Sequence, residues 1–403
     1  MTPETLWRWA QMKGITVVGT GDFTHPQWFA ELTRKLDPLG NGLFVLRDGY
    51  RTVPVVPSCR ADICFLLSAE ISCIYSKGGR TRKVHCLLFA PDFESAARVG
   101  LLLSRIGNVT SDGRPILGLD AKDLLRLSLD ANPDGFFVPA HAWTPHFSVF
   151  GAASGFDTLE ECFEDLSPHV HAIETGLSSD PAMNWRLSRL DTINLISNSD
   201  AHSPAKMGRE STVLEADLSF QGIKGAIEGR GGLMGTVEFF PEEGKYHWDG
   251  HRSCKAALPP ADTIRNGYRC PVCGKPVTVG VMHRVEKLAD RREGIQPPGA
   301  PWYRSIIPLV EIIAEAKGVG AGSKGVGLEY MALLSKLGNE FSILMDASPA
   351  DIEAASSPLV SEAVMRMRRG EVVIAPGYDG EYGRIRIFDE AERSQAKGQM
   401  RLL

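Results

Sequence analysis

Time after time this chain places an Asp, Glu or His at the end of a short apolar run. Residues 15–18 (ITVV) lead through Gly19 and Gly21 to Asp22 and His25, and 64–68 (CFLLS) lead to Glu70. Residues 83–89 (KVHCLLF) carry His85, 136–140 (FFVPA) lead to His141, and 170–173 (VHAI) lead to Glu174. Residues 193–196 (INLI) lead to Asp200 and His202. Runs of this length, bounded by turn residues, read as buried strands. Helical spacing over 93–106, 121–129 and 159–163 falls between them, so the alternation predicts an α/β fold with a mostly parallel sheet or barrel. Singly, each polar residue has a plain structural use: Glu174 or Asp200 can cap a helix, and a lone His is commonly a core or surface residue. Six strands furnished in the same way are better explained by a polynuclear metal site on the carboxyl face of a barrel. Imidazoles and carboxylates suit zinc or manganese.

Length and composition narrow the rest. A chain of 403 residues can hold two or three domains, each with its own core. No apolar run approaches the length of a membrane span, and no secretory signal opens the chain. The net charge of -5 gives no global sign of nucleic-acid binding, although a basic groove can be local. Eight cysteines in a chain this large are not a disulfide framework; five are scattered and three cluster as Cys254, Cys270 and Cys273. The expectation is a reducing, cytoplasmic setting with one structural zinc site. His251-x2-Cys254 and Cys270-x2-Cys273, fifteen residues apart, have the spacing of a closed tetrahedral Zn²⁺ site, with His247 and His283 as competitors for the place of His251.

Residues 293–303 are rich in Pro and Gly and read as a linker. A helix, a glycine-rich turn over 318–324 and a second helix follow, which fits either a helix-hairpin-helix offering turn amides to phosphate or a plain helical hairpin. Arg366, Arg368 and Arg369 end a third helix, as a phosphate-binding patch or as a solvated end complementing the helix dipole. The expected domains are 1–240, a metallohydrolase; 241–295, a zinc-binding unit; and 296–403, a mainly helical, DNA-binding-like unit.

The segments GTGDFTHP (19–26), PAHAWTP (139–145) and SNSDAH (197–202), with the Glu70 and His85 strands, resemble motifs of the PHP (polymerase and histidinol phosphatase) metallohydrolases. HAWTPHFSVFG (141–151), GFDTLEECF (155–163), ETGLSSDPAMNWRLSRLD (174–191) and CPVCGKPVTVGVMHRVEKLADR (270–291) resemble the endonuclease Q family within that superfamily. A label of UvrD-type helicase association attaches to that family, but no Walker A pattern occurs here. The resemblance implies a PHP-type distorted seven-stranded β/α barrel with a zinc-finger insert, a small C-terminal helical domain and a catalytic cluster of divalent ions (Zn²⁺, Mn²⁺ or Mg²⁺). It implies hydrolysis of DNA on the 5′ side of deaminated bases (hypoxanthine, uracil, xanthine) or abasic sites, with repair or replication proteins as further partners. By position, Glu70 is the expected bridging carboxylate beside His85 and His141; Asp200 and His202 bind outer metals; Asp22, His25 and Glu174 complete the set. Glu70, Asp200 and His202 carry the catalytic role. Trp143 and Phe147, in the aromatic segment after His141, either line a pocket for an unstacked base or pack in the core. The family pattern opens on an HxH motif in a first strand. Here Met1 heads the helix that follows that strand, so a shortened barrel is expected. Two other readings are a phosphoesterase for a small phosphate ester and a damaged-DNA-binding protein that does not cleave.

Overall fold

The computed structural model describes residues 1–111, 113–389 and 392; the far end of the expected C-terminal domain lies outside them. The first element is the helix Pro3–Lys13. Thr2 accepts from Thr5 N in a capping box, Pro3 holds the first turn, and Gly14 closes the helix at φ 89°. It delivers the chain to β1 (Val17–Gly19). In order follow β2 (Leu36–Pro38), β3 (Phe44–Leu46), β4 (Cys64–Lys77), β5 (Arg80–Ala90), β6 (Ile116–Leu117) and β7 (Phe136–Pro139). These make one seven-stranded sheet, β2-β3-β4-β5-β7, with β1 and β6 also paired to β4.

The expectation of a mostly parallel sheet is corrected here. β1–β4 and β4–β6 are parallel, but β2–β3, β3–β4, β4–β5 and β5–β7 are antiparallel. Continuous apolar runs announce buried strands without announcing their direction. The direction is set by Gly78-Gly79, both left-handed (φ 59° and 71°), which close a tight hairpin between β4 and β5. The hairpin pairs from Leu67↔Ala90 to Lys77↔Arg80. Glu70 therefore lies within a strand, not just beyond one.

Past β7, β8 (Ala172–Glu174) pairs in parallel with β9 (Asn194–Ile196), and β10 (Ser211–Leu214) runs antiparallel to β11 (Leu233–Glu238). The loops leaving β7 and β9 carry His141 and Asn198–Asp200 to one cleft, on which Glu174 at the end of β8 also opens. β12 (Asp249–His251) and β13 (Ala256–Leu258) form a small ribbon, and the helix Val281–Leu288 follows. That helix buries Val281, Val285 and Leu288 in the main core, and Arg284 donates to the carbonyls of Phe150 and Phe156. β14 (Trp302–Ser305) pairs in parallel with β11. The end of the expected linker is thus a strand, and the expected boundary after residue 240 is crossed by sheet pairing.

Four α-helices follow among the described residues, Leu309–Lys317, Lys324–Leu337, Pro349–Ala355 and Pro358–Arg369, with a π-helical turn at Ser342–Asp346 between the second and third. They enclose a second core built on Leu309, Ile312, Leu333, Ile343 and Val364. The expected basic patch is committed internally. Arg366 pairs with Glu362 and Glu392, Arg369 pairs with Glu362 and Glu371, and Arg368 donates to the carbonyls of Ile343 and Leu344. No helix among the described residues is long and apolar enough to cross a membrane.

Candidate active site

Alternation along β4 turns Glu70 and Ser72 to the same face, and β5 sets His85 opposite Ser72. Glu70 and His85 are therefore diagonal neighbours. His141 reaches them from the loop after β7. One oxygen gathers the group: Glu70 Oε1 is 3.0 Å from His85 Nδ1 and 3.1 Å from His141 Nε2, and these two nitrogens are 3.0 Å apart. Burial pushes the Glu70 carboxyl up, but hydrogen bonds with His141 and His85 and the charge of Arg114 hold it well below the usual carboxylate range. Burial and the positive charges of His141 and Arg114 lower His85, against the pull of Glu70. His141 is raised: burial opposes its charge, and the carboxyls of Glu70 and Glu174 outweigh burial. His141 Nδ1 meets Thr144 Oγ1 at 3.1 Å, which fixes the ring and turns Nε2 toward Glu70.

Around this knot lies a cleft of about 1470 Å³, bordered by Asp22, Arg114, Glu174, Asp200 and His202 among others. Burial and the Glu70 charge raise Asp22. Arg114 Nη1 stands 2.8 Å from Glu70 Oε1 and 2.6 Å from His85 Nδ1, and Nη2 is 3.5 Å from Asp200 Oδ1. Asp22, His141 and Asp200 all hold left-handed backbone, at φ 46°, 30° and 42°. Such strain at three non-glycine residues of one cleft marks a place where function outweighs local comfort. Gly176 is pressed so close to His141 that a Cβ on it would lie 2.4 Å from the His141 Cβ.

The other expected ligands sit at the margin. Glu174 is buried; its oxygens accept from His141 N and Asn198 Nδ2, both at 2.8 Å, and burial raises its carboxyl to about 7. It braces His141 and Asn198. His202 is 79% exposed at the rim, with Nδ1 donating to the Asp200 carbonyl at 2.9 Å. His25 uses both ring nitrogens elsewhere: Nδ1 accepts from Trp28 N as a helix cap, and Nε2 donates to the Thr110 carbonyl. The sequence signal for that use was His25-Pro26 at a helix start.

Of the two aromatic candidates, Trp143 is corrected. Its ring has no exposed surface, its Nε1 donates to Asn184, and it packs on Phe150. A ring enclosed on every side offers no face to a nucleobase. Phe147 is half-buried, with its ring 4.8 Å from that of His85. Arg114, Asn198 and Thr144 were missed. Nothing local in SDGRP announces that its arginine will reach β4, whereas SNSDAH carried Asn198 in plain view.

Away from the cleft, His251, Cys254, Cys270 and Cys273 bring one ligand atom each within 4.8 Å of one another, a grouping that can hold a metal ion. Burial raises the Cys270 thiol, but backbone N–H groups of Cys273 and Val272 and the neighbouring side chains bring it down to about 7. The competing histidines are engaged apart from this group: His283 pairs with Asp249 at 2.7 Å, and burial lowers His247 to about 4.

A family model described as the MJ0043 C-terminal domain matches residues 308–371. The protein MJ0043 of Methanocaldococcus jannaschii is 31% identical over 284 residues, which is 67% of this chain but 35% of that protein; this chain spans about a third of that relative. YqxK of Bacillus subtilis is 28% identical over 389 residues, 94% of this chain and 90% of that protein. Among solved structures, the novel lesion-specific endonuclease PfuEndoQ from Pyrococcus furiosus superimposes with a TM-score of 0.83 at 31% identity, over 97% of this chain and 91% of that one. An endonuclease Q bound to a 27-mer duplex with an abasic lesion at its active site gives 0.81 at 31% identity, over 97% and 93%. With near-complete coverage on both sides at this identity, the chain belongs to the endonuclease Q family.

Proposed function

We propose that this protein is a metal-dependent DNA repair endonuclease that hydrolyses the phosphodiester bond on the 5′ side of a deaminated base (hypoxanthine, uracil, xanthine) or an abasic site. The observation that carries the reading is the Glu70–His85–His141 knot, whose Glu70 and His141 line a large cleft, in a chain of this family. The donor set fits divalent cations. Two imidazoles and a low-pKa carboxylate converge, with Asp22 and Asp200 facing them, and so many carboxyls in one cleft need positive charge to share it. In this reading Glu70, His85 and His141 are the inner ligands, and Asp22, Asp200 and His202 on the cleft are the outer ones. Bound there, Zn²⁺ or Mn²⁺ makes a water a nucleophile at neutral pH and offsets charge on the phosphate. The protein's own part is orientation: Thr144 holds the His141 ring, and Glu174 and Asn198 hold the loops that present it. The PHP-type barrel, the structural zinc at the Cys254–Cys270–Cys273–His251 group and the expected domain roles belong to the same reading. A cleft of about 1470 Å³ is larger than a small phosphate ester requires.

The test is cleavage of end-labelled duplexes carrying deoxyinosine, deoxyuridine or an abasic site, with Mn²⁺, Zn²⁺ or Mg²⁺. A nick 5′ to the lesion is expected, and Glu70→Gln and Asp200→Asn abolish it. Binding without a nick under all three metals would sink the reading.

A further inference from the structure

Arg114 stands where a cation belongs. Its Nη1 meets the same Glu70 oxygen on which His85 and His141 converge, and it lies 2.6 Å from His85 Nδ1. A guanidinium has donors only, so the Nη1–Nδ1 contact is a hydrogen bond when His85 carries its proton on Nε2, and Nδ1 then presents the lone pair that ligates metal. The two lone pairs that a metal would take, on Glu70 Oε1 and His85 Nδ1, are both answered by one arginine. Arginine cannot lose its charge to make room. A divalent ion on these ligands therefore repels the guanidinium and must displace it. The backbone cannot follow far, because the adjacent Pro115 carbonyl accepts from Ser72 N at 2.9 Å and β6 then pairs with β4. The Arg114 side chain is 24% exposed on the cleft, so it has somewhere to swing.

We propose that Arg114 competes with a divalent metal for the Glu70–His85 seat and that metal binding transfers it to the phosphate of the substrate. This rests on the nuclease reading above. The planar fork of five donors matches two phosphate oxygens at once, and the displaced residue gives up its contact with Glu70, keeping only the longer one with Asp200, just as the cleft receives an anion. Loading the metal thus also arms the substrate contact.

The first readout needs no DNA. Mn²⁺ is titrated into full-length protein and free Mn²⁺ is followed by electron paramagnetic resonance, since Mn²⁺ prefers the carboxylate–imidazole knot to the thiolate group. Arg114→Ala and the closer-shaped Arg114→Gln should bind Mn²⁺ about tenfold more tightly or better, the size of a lost charged hydrogen bond. The second readout is cleavage of the abasic-site duplex at saturating Mn²⁺. Both variants should be slower by roughly 10²-fold, as for loss of one preorganised donor, and Arg114→Lys should not restore the rate because it lacks the fork. Unchanged Mn²⁺ affinity in the two neutral variants overturns the competition, and wild-type rates at saturation overturn the phosphate contact. If the wild type cuts nothing, the nuclease reading fails, while the affinity shift is still measured on its own.

Discussion

Phe147 and Trp143 come from one short segment and meet opposite fates, which makes them a paired test. Trp143→Ala removes a fully enclosed ring and its hydrogen bond to Asn184, so a loss of about 3–5 kcal/mol in urea unfolding is expected. Phe147→Ala, half-buried with its ring beside that of His85, should cost well under half of that. Its effect should appear as a raised KM for lesion duplexes with kcat little changed. A KM effect from Trp143→Phe without lost stability would reverse the assignment. Glu238 gives a pH test outside the Glu70–His85–His141 knot, with the buried Glu210 as its neighbour. Its Oε2 lies 3.0 Å from Thr175 Oγ1 and 3.1 Å from Ser197 Oγ, while Oε1 is buried without a partner. Burial, with the Asp180 charge, raises the carboxyl to about 8 from 4.5. An unfolded chain releases this proton near 4.5 and the folded chain near 8, so the stability due to the neutral form is whole below the first value and is lost as pH rises toward the second. Glu238→Gln keeps the neutral shape. It should match wild type at low pH and exceed it in urea midpoint at pH 8; a variant weaker at pH 8 means the ionised carboxylate is held by a cation.

At the scale of elements, the ribbon β12–β13 and the helix Val281–Leu288 form a unit whose own apolar content is small. Metal at the Cys–His group is expected to supply part of its folding energy. Cys270→Ser and Cys273→Ser should each remove one equivalent of bound zinc and lower Tm, while Mn²⁺ binding at the Glu70 knot stays intact. Equal zinc content in wild type and variants would remove this group from the list of metal sites. These elements also mark how far the chain could be read from residues alone. An apolar run that ends in a carboxylate or imidazole is a local pattern, so Glu70, His85, His141 and Asp200 were visible as candidates. Strand direction is not local: it depends on what the run pairs with, and the Gly78-Gly79 turn was the available clue to the long hairpin. Arg114 lay beyond any pattern, because its partners are on β4, on β5 and in the loop after β9, and only the assembled sheet brings them to it. Trp143 shows the reverse failure. His141, two residues earlier, is at the site, but the chain turns at that residue, which is left-handed, and the indole goes to the core.

In the whole molecule, the first helix of the chain and the C-terminal helices are joined by a buried charge pair. Lys13 Nζ, at the end of the first helix, lies 2.6 Å from Glu340 Oε2, with the two side chains 5% and 4% exposed. Glu340 is otherwise occupied: Oε1 accepts from Leu309 N at 3.0 Å and Oε2 from the Tyr330 hydroxyl at 2.8 Å. The same carboxylate therefore starts one helix of the second core, binds a tyrosine of another, and holds the first helix of the chain. Met12 and Cys59 enter that second core beside it. Removing only the lysine leaves an unpaired carboxylate in a dry joint, and Lys13→Met should lose about 3–5 kcal/mol. Glu340→Gln keeps an acceptor for Leu309 N and turns an amide N–H toward the Tyr330 hydroxyl oxygen, while deleting the charge. The double variant Lys13→Met/Glu340→Gln should therefore be more stable than Lys13→Met alone, because the uncompensated charge and not the lost contact is the larger penalty. Urea unfolding of the four proteins measures it. If Lys13→Met falls within about 1 kcal/mol of wild type, the value of an exposed pair, water reaches the joint and the first helix is held there by apolar packing instead.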